Sequence, residues 1–361
     1  MNQKIGLAIF PFIKDASPIA RYHDMLCGYE LRKIFTLKPE EQFLDANVLD
    51  GGTYTNITFT ILNECNLDNI DVVLVLFDKN INKEVYLKYL ELFHSKKIKI
   101  LYEKKLQAFI DFNSLGNSKA IDSDSGYLGS QENSLSILKI PVPVIMVLGL
   151  GDQCNKFEIQ LGLRDYFIKN GYKVSQIGTK VYSQLFGFNS LPDFLYHNIK
   201  TEEKIVKFNR YVKRMVQIEN PDVVIIGVPD SIMKYNDRET NNFGIIPFII
   251  TNAVMPDIGI LSIYQNGYSK EYFNELQNYC KYRYNCILDY INIANTRQVY
   301  DNRNKFSYFT LNKDYVLNNS NMTLFNNDEK VLIYNVFDEN QSNRVYKHIE
   351  TQLETNIEFL S

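Results

Sequence analysis

Four short runs of almost unbroken aliphatic residues constrain this chain most: residues 71–77 (DVVLVLF), 143–150 (PVIMVLGL), 222–227 (DVVIIG) and 258–264 (IGILSIY). Each has the length of a strand, and none alternates apolar with polar residues. A strand that is apolar on both faces needs cover on both, which is the situation of a parallel sheet flanked by helices. The intervening segments have helical spacing. Val85, Tyr86, Tyr89, Leu90 and Phe93 precede a further strand, KIKILY at 97–102. Over 155–170, Ile159, Leu163 and Phe167 form one stripe and Phe157, Leu161 and Ile168 a neighbouring one, with Gly171 at the end. So broad an apolar surface predicts a largely buried helix. Ile205, Phe208, Val212 and Met215 line another helix, with Thr201 as its expected cap and Asn220-Pro221 as its stop. Tyr272, Leu276 and Tyr279 mark one more. Strand, helix, strand in succession predicts an α/β fold with mainly parallel sheets.

The remaining segments are weaker. Residues 4–10 read as a first buried strand stopped by Pro11, 21–26 as a helical turn, 29–37 as a mixed strand and 48–52 as a turn. Strands are expected at 172–177, 286–293, 308–311 and 331–336, and a final helix from about 342 to 353. Between the two strand-rich halves lies NSLGNSKAIDSDSGYLGSQENS, dominated by Ser, Asn, Gly and Asp. Such a stretch buries too little apolar surface to offset the entropy of ordering it. The expected organisation is an N-terminal α/β domain over 1–112, a linker or long loop over 113–137, and a C-terminal α/β domain over 138–361. A length of 361 residues suits two cores.

Composition narrows the function classes. Lys and Arg number 39 against 42 Asp and Glu, a net charge of −3, which lacks the basic surplus of a nucleic-acid binder. The 5 cysteines form no C-x-x-C pair, so reduced thiols are expected, with no disulfide framework and no metal centre. The first residues, MNQKIGLAIFPF, lack the long apolar core of a signal peptide, and no apolar stretch reaches bilayer-spanning length. A cytoplasmic protein without membrane partners is expected.

Chemistry concentrates at VIMVLGLGDQCNKFE, residues 144–158. A buried strand runs into a loop with Gly149 and Gly151, then into a helix whose first turn carries Lys156. Loop amides, a helix N-terminus and a lysine together make a phosphate site. The order of parts is that of the phosphate-binding loop G-x-x-x-x-G-K-[ST]. With Lys156 at the lysine position, Asn155 replaces the second Gly and Leu150 the first, with Gly149 one residue early. Asn tolerates left-handed backbone, so the turn survives. Phe157 replaces the hydroxyl residue that would ligate Mg²⁺, leaving Asp152, Glu158 or water for that task and disfavouring rapid phosphoryl transfer. The cofactor such a site would take is ATP or GTP with Mg²⁺, bound by Gly149, Gly151, Asp152, Asn155, Lys156 and Asp230. A tight strand-to-helix turn with a solvated lysine is the bland alternative. The dinucleotide fingerprint fails, because Cys154 stands at its last Gly. Near a helix N-terminus, the Cys154 thiol is expected to have a lowered pKa.

Other loops leave strand ends at the same edge: Gly178-Thr179-Lys180, Val228-Pro229-Asp230-Ser231 and Gln265-Asn266-Gly267. Asp230 would hold a metal through water, or the Pro229-Asp230-Ser231 segment simply caps a turn. Residues 243–247 would cross over the site as a loop or serve packing. Of the histidines, His23, in Arg21-Tyr22-His23-Asp24, belongs to the best polar cluster of the first domain, read foremost as a salt-linked turn. No nucleophile–base pair can be assembled, so no catalytic residue is assigned.

Several blocks together resemble a family: KIGLAIFP (4–11), Asp50-Gly51-Gly52, VLGLGDQCNKFEI (147–159), GYKVSQIG (171–178), LFGF (185–188), Pro192-Asp193-Phe194, PDVVIIGVP (221–229) and Asn242-Phe243-Gly244-Ile245. They look like the clostridial peptide-maturation-system proteins, encoded beside radical-SAM enzymes and Cys-rich, bacteriocin-like precursor peptides. The resemblance implies an accessory role in maturing a ribosomally made peptide, with the precursor peptide and a radical-SAM maturase as partners. The second half is also similar, more distantly, to P-loop proteins of the dethiobiotin-synthetase kind, which implies a degenerate P-loop-like C-terminal domain with a strand and helix added at its end. Two functions follow: an accessory protein that binds peptide or maturase together with a nucleotide, or an ATP- or GTP-dependent enzyme that activates or phosphorylates a group on the precursor.

Overall fold

The structure is a computed structural model and describes residues 4–113, 115–121, 136–300, 306–319 and 331–358. It is α/β with two mainly parallel sheets, and the chain divides into two compact units. One comprises the described residues of 1–123 with Val181–Ser190, the other those of 124–180 and 191–361.

The first unit is built on a sheet of 6 strands in the order Phe59–Ile61, Tyr29–Thr36, Ile5–Phe10, Val72–Val75, Lys99–Glu103, Ser118–Ile121, all pairings parallel. Helix Lys83–Ser95 starts where the Asn82 side chain accepts from the Val85 amide. It packs Tyr86, Leu90 and Phe93 against Ala8, Phe10, Val73 and Val75. The polar cluster at Arg21 resolves into a buried ion pair: Arg21 Nη2 meets Asp50 Oδ1 at 2.6 Å, and Nε meets Oδ2 at 3.0 Å. His23 Nδ1 meets the exposed Asp24 Oδ1 at 3.2 Å, which is the salt-linked turn. Segment Val181–Ser190 belongs here through the Cys27 amide, which donates to Leu185 O at 2.8 Å, and the Tyr182 hydroxyl, which donates to Asp15 O.

Strand Ser118–Ile121 lies within the stretch expected to be a linker. An edge strand needs only one row of backbone bonds, here to Lys99–Glu103, so polar composition does not betray it. The rest of that stretch, 122–135 with 114, is outside the described residues.

In the second unit the strands lie in the order Leu332–Tyr334, Leu288–Ile293, Ile258–Ile263, Val144–Gly149, Val223–Gly227, Val174–Gly178, again all parallel. The central strand Val144–Gly149 is buried throughout. Ile145 and Val147 face helices Lys156–Lys169 and Glu339–Glu358 through Ile159, Leu163, Val345 and Ile349. Val144, Met146 and Leu148 share the opposite core with Phe208, Val212, Ile249 and Leu276 of helices Thr201–Glu219, Ile245–Ala253 and Lys270–Tyr284. Two covered faces explain why the strand does not alternate.

Three local expectations change. Thr201 is the first helical residue and no side chain caps it, Lys200 occupying the cap position. Residues 245–253 form a helix where the sequence suggested only a loop or packing segment at 243–247. Proline in a first turn lacks only an amide that has no helical partner, and Gly244 supplies the left-handed entry at φ 68°. Residues 296–300 and 306–310 pair as an antiparallel hairpin, Thr296–Tyr300 with Phe306–Thr310, of which only the second strand was expected.

Candidate functional site

The loop from Gly149 to Asn155 leaves the C-terminal end of the central strand and enters helix Lys156–Lys169. Its outward side is pinned carbonyl by carbonyl. Gly149 O accepts from the Ile232 amide at 3.1 Å and Leu150 O from Ser231 Oγ at 2.5 Å. Gly151 O accepts from Cys154 Sγ at 3.0 Å and Asp152 O from the Tyr264 hydroxyl at 2.6 Å. Gln153 O accepts from Thr296 Oγ1 at 2.7 Å, and Cys154 O from Ser262 Oγ. Six successive carbonyls are thus held from outside the turn or across it.

The amides behave oppositely. Among the described residues, those of Gly151, Asp152, Gln153, Asn155 and Lys156 donate to no acceptor. Gln153 and Asn155 are left-handed, with φ 55° and 59°, and such residues beside right-handed ones gather successive amides into a concave, anion-favouring turn. Asn155 keeps this conformation through two side-chain bonds: its Oδ1 accepts from the Asn295 amide at 3.0 Å, and its Nδ2 donates to Glu158 Oε1 at 3.1 Å. Asn at the second Gly position is therefore compatible with the turn, as expected.

Lys156 is only 9% exposed, and its Nζ donates to Asp230 O at 2.6 Å. It is not a solvated surface lysine. Gly149 makes room for its stem: a Cβ there would lie 2.6 Å from Cys154 Sγ and 2.8 Å from Lys156 Cδ. Gly151 likewise accommodates the Tyr264 hydroxyl. Asp230 is left-handed at φ 59°. Burial pushes its carboxyl up from the usual range, opposed by Lys156 and reinforced by Asp152. Asp152 is exposed. The structure therefore brings Gly149, Gly151, Asp152, Asn155, Lys156 and Asp230 into one place. Ser231, beside Asp230, also receives the Met233 amide at 3.3 Å, so this segment is both a turn cap and a loop support.

Three expectations need revision or refinement. The Cys154 thiol is buried, and desolvation drives its pKa up, overriding the helix N-terminus and Lys156. Glu158 bonds Asn155, while Asp230 feels both Lys156 and Asp152 electrostatically. Residues 243–247 are a helix start rather than a loop over the site. Among the described residues no group of three or more His, Cys, Asp or Glu is placed to hold a metal.

Sequence reasoning missed the supporting side chains Ser262, Tyr264, Asn295 and Thr296. Their one signal is polarity at strand ends: Ser262 interrupts an aliphatic run, and Asn295-Thr296 follows directly on another. Asn295 itself is held by Asn335, whose Nδ2 donates to Asn295 Oδ1 at 2.7 Å and to Ile293 O at 2.8 Å. Asn292 Nδ2 donates to Ser262 Oγ at 2.8 Å, and Asn292 Oδ1 accepts from the Val336 amide at 2.8 Å. Ser262, Asn292, Asn295 and Asn335 are all fully buried.

No family model and no curated protein matches the sequence. Among solved structures, a DUF1611 family protein from Anabaena variabilis is similar over 81% of this chain and 88% of its own, at 12% identity and a TM-score of 0.55. That likeness extends to the fold. A nucleotide-binding protein from Archaeoglobus fulgidus, solved with ADP, matches 56% of this chain and 84% of its own at 11% identity and a TM-score of 0.34. A GTPase from Pyrococcus abyssi matches 42% and 66% at 12% identity and a TM-score of 0.27.

Proposed function

We propose that the second unit binds the phosphates of ATP or GTP at the loop around Gly151, and that the protein serves as a nucleotide-responsive accessory in the maturation of a ribosomally made peptide. One observation carries the first part: the loop carbonyls are anchored outward while the amides of Gly151, Asp152, Gln153, Asn155 and Lys156 are left without acceptors beside a buried lysine. Amides held in this way, at a helix N-terminus, are built for an anion.

Binding is favoured over turnover. Phe157, at the position where a hydroxyl would ligate Mg²⁺, is buried at 1% exposure. Mg²⁺ would be held by Asp152 and Asp230, neither of which is a helix-borne ligand adjacent to the lysine. Bound Mg²⁺ would neutralise phosphate charge, and the lysine would orient the phosphate chain.

The second part rests on the resemblance of residues 147–159, 171–178 and 221–229 to the clostridial peptide-maturation proteins. The partners are then the precursor peptide and its radical-SAM maturase. Co-purification of the full chain with each of them, with and without ATP or GTP, tests this. Retention of at least one partner is expected, changed by nucleotide. Retention of neither under any condition would remove the peptide-maturation role.

A further inference from the structure

The second unit holds another cluster of charge, remote in the fold from the loop. Parallel strands place all their C-terminal ends, and hence the loop, at one edge of the sheet. A cleft of about 520 Å³ opens near the opposite ends of two strands, where Asp289 and Tyr290 begin Leu288–Ile293 and Leu332 begins Leu332–Tyr334. Helix Glu339–Glu358 forms its other wall. The helix buries Val345, Ile349 and Leu353, and the adjoining strip presents Arg344, Lys347, His348 and Gln352 to the cleft. Their spacing of three, four and eight residues puts them on one side of the helix.

The floor is a directed hydrogen-bond chain. The fully buried Tyr290 donates its single hydroxyl proton to Gln352 Oε1 at 2.9 Å. Its contact with His348 Nδ1, at 2.7 Å, must then have the imidazole as donor. That fixes the proton on Nδ1 and leaves Nε2 as the second ring position of a cleft-lining histidine. Asp289 Oδ2 accepts from the Gly259 amide at 3.3 Å, and the Gln352 side chain lies beside the same carboxyl, so this acid is served from within the fold. The cations are not: among the described residues neither Arg344 nor Lys347 forms an ion pair.

Two unpaired cations three residues apart, over an imidazole and a roomy cleft, suit a small ligand with a doubly charged oxyanion group. We infer that this cleft is a second anion site, taking a small phosphate-bearing molecule held by Arg344 and Lys347 beside the His348 ring, independent of the loop at Lys156. Arg344 supplies the forked donors and Lys347 a point charge, with the His348 ring lining the cleft beside them. The groups that face the ligand with opposite or like charge are Asp289, Arg344, Lys347 and His348 alone among the cleft residues.

The test uses the full chain carrying Lys156→Ala, which removes the lysine of the loop, with pyrophosphate as probe. Calorimetric titration is read alongside the His348 ring signal in NMR, assigned through His348→Gln. Saturable pyrophosphate binding that moves the His348 signal is expected. Adding Arg344→Gln and Lys347→Gln should weaken that binding by about tenfold or more, the scale of lost charge-assisted bonds. These are exposed positions, so the variants fold, and an unchanged melting temperature verifies it. A His348 signal unmoved by millimolar pyrophosphate, or equal affinity with and without Arg344 and Lys347, overturns the assignment.

Discussion

The Lys156 ammonium donates to a backbone carbonyl, that of Asp230, and a phosphate oxygen is a stronger partner for it. The stem reaches this position only because residue 149 has no Cβ. Gly149→Ala would place a methyl 2.6 Å from Cys154 Sγ and 2.8 Å from Lys156 Cδ. We expect a loss of about 1–3 kcal/mol of stability, typical of overpacking, together with weakened nucleotide binding. Urea denaturation and nucleotide titration check the two effects, and an unperturbed variant would show that the lysine stem does not depend on this glycine. Asp230 offers a test with a definite sign. Burial raises its pKa in the folded state. An acid raised on folding contributes stability that is present below its unfolded pKa and is lost as pH climbs through the folded value. Asp230→Asn escapes that loss, and Asn accepts the left-handed backbone. The variant is therefore expected to melt above wild type at pH 7, with the difference shrinking toward pH 3. It should also bind Mg²⁺-free nucleotide more tightly. A difference that grows as pH falls would contradict the burial argument.

At the scale of elements, the loop is held by chain that lies far away in sequence. Ser262 and Tyr264 come from the end of strand Ile258–Ile263 and the residue after it, Asn295 and Thr296 from the junction between strand Leu288–Ile293 and the hairpin, and Asn335 from just past strand Leu332–Tyr334. Asn335→Ala would remove the bonds its side chain makes to Asn295 Oδ1, Ile293 O and the Phe337 amide, all in buried residues. We expect a cost of about 2–4 kcal/mol in chemical denaturation, because each unsatisfied buried group is expensive. A cost near zero would mean that water replaces the side chain. This network also marks where the sequence stops being readable. The strand in PVIMVLGL and the helix beginning at Lys156 announce themselves through local apolar pattern, so the loop between strand and helix could be located. The side chains that fix the loop follow no local period, since they meet it only after four strands align in register. Strand Ser118–Ile121 was hidden for a related reason: edge pairing uses backbone, which composition does not report. Helix Ile245–Ala253 is short and apolar nearly all round, so it shows no amphipathic period, and its first turn contains a proline, which that position tolerates.

For the whole molecule, the account is that a parallel sheet presents one anion-binding turn at the C-terminal end of its central strand. Topology alone leads there, since ligands of open parallel sheets bind beyond those ends. The side chains add the specific content: left-handed Gln153 and Asn155, anchored carbonyls and a buried Lys156. The most direct test is an equilibrium titration of the full chain with ATP and with GTP, each with and without Mg²⁺, beside the same titration of Lys156→Ala. The account predicts saturable binding of at least one nucleotide by wild type, weakened by about tenfold or more in the variant. No binding at millimolar nucleotide, or equal binding by the two proteins, would contradict it.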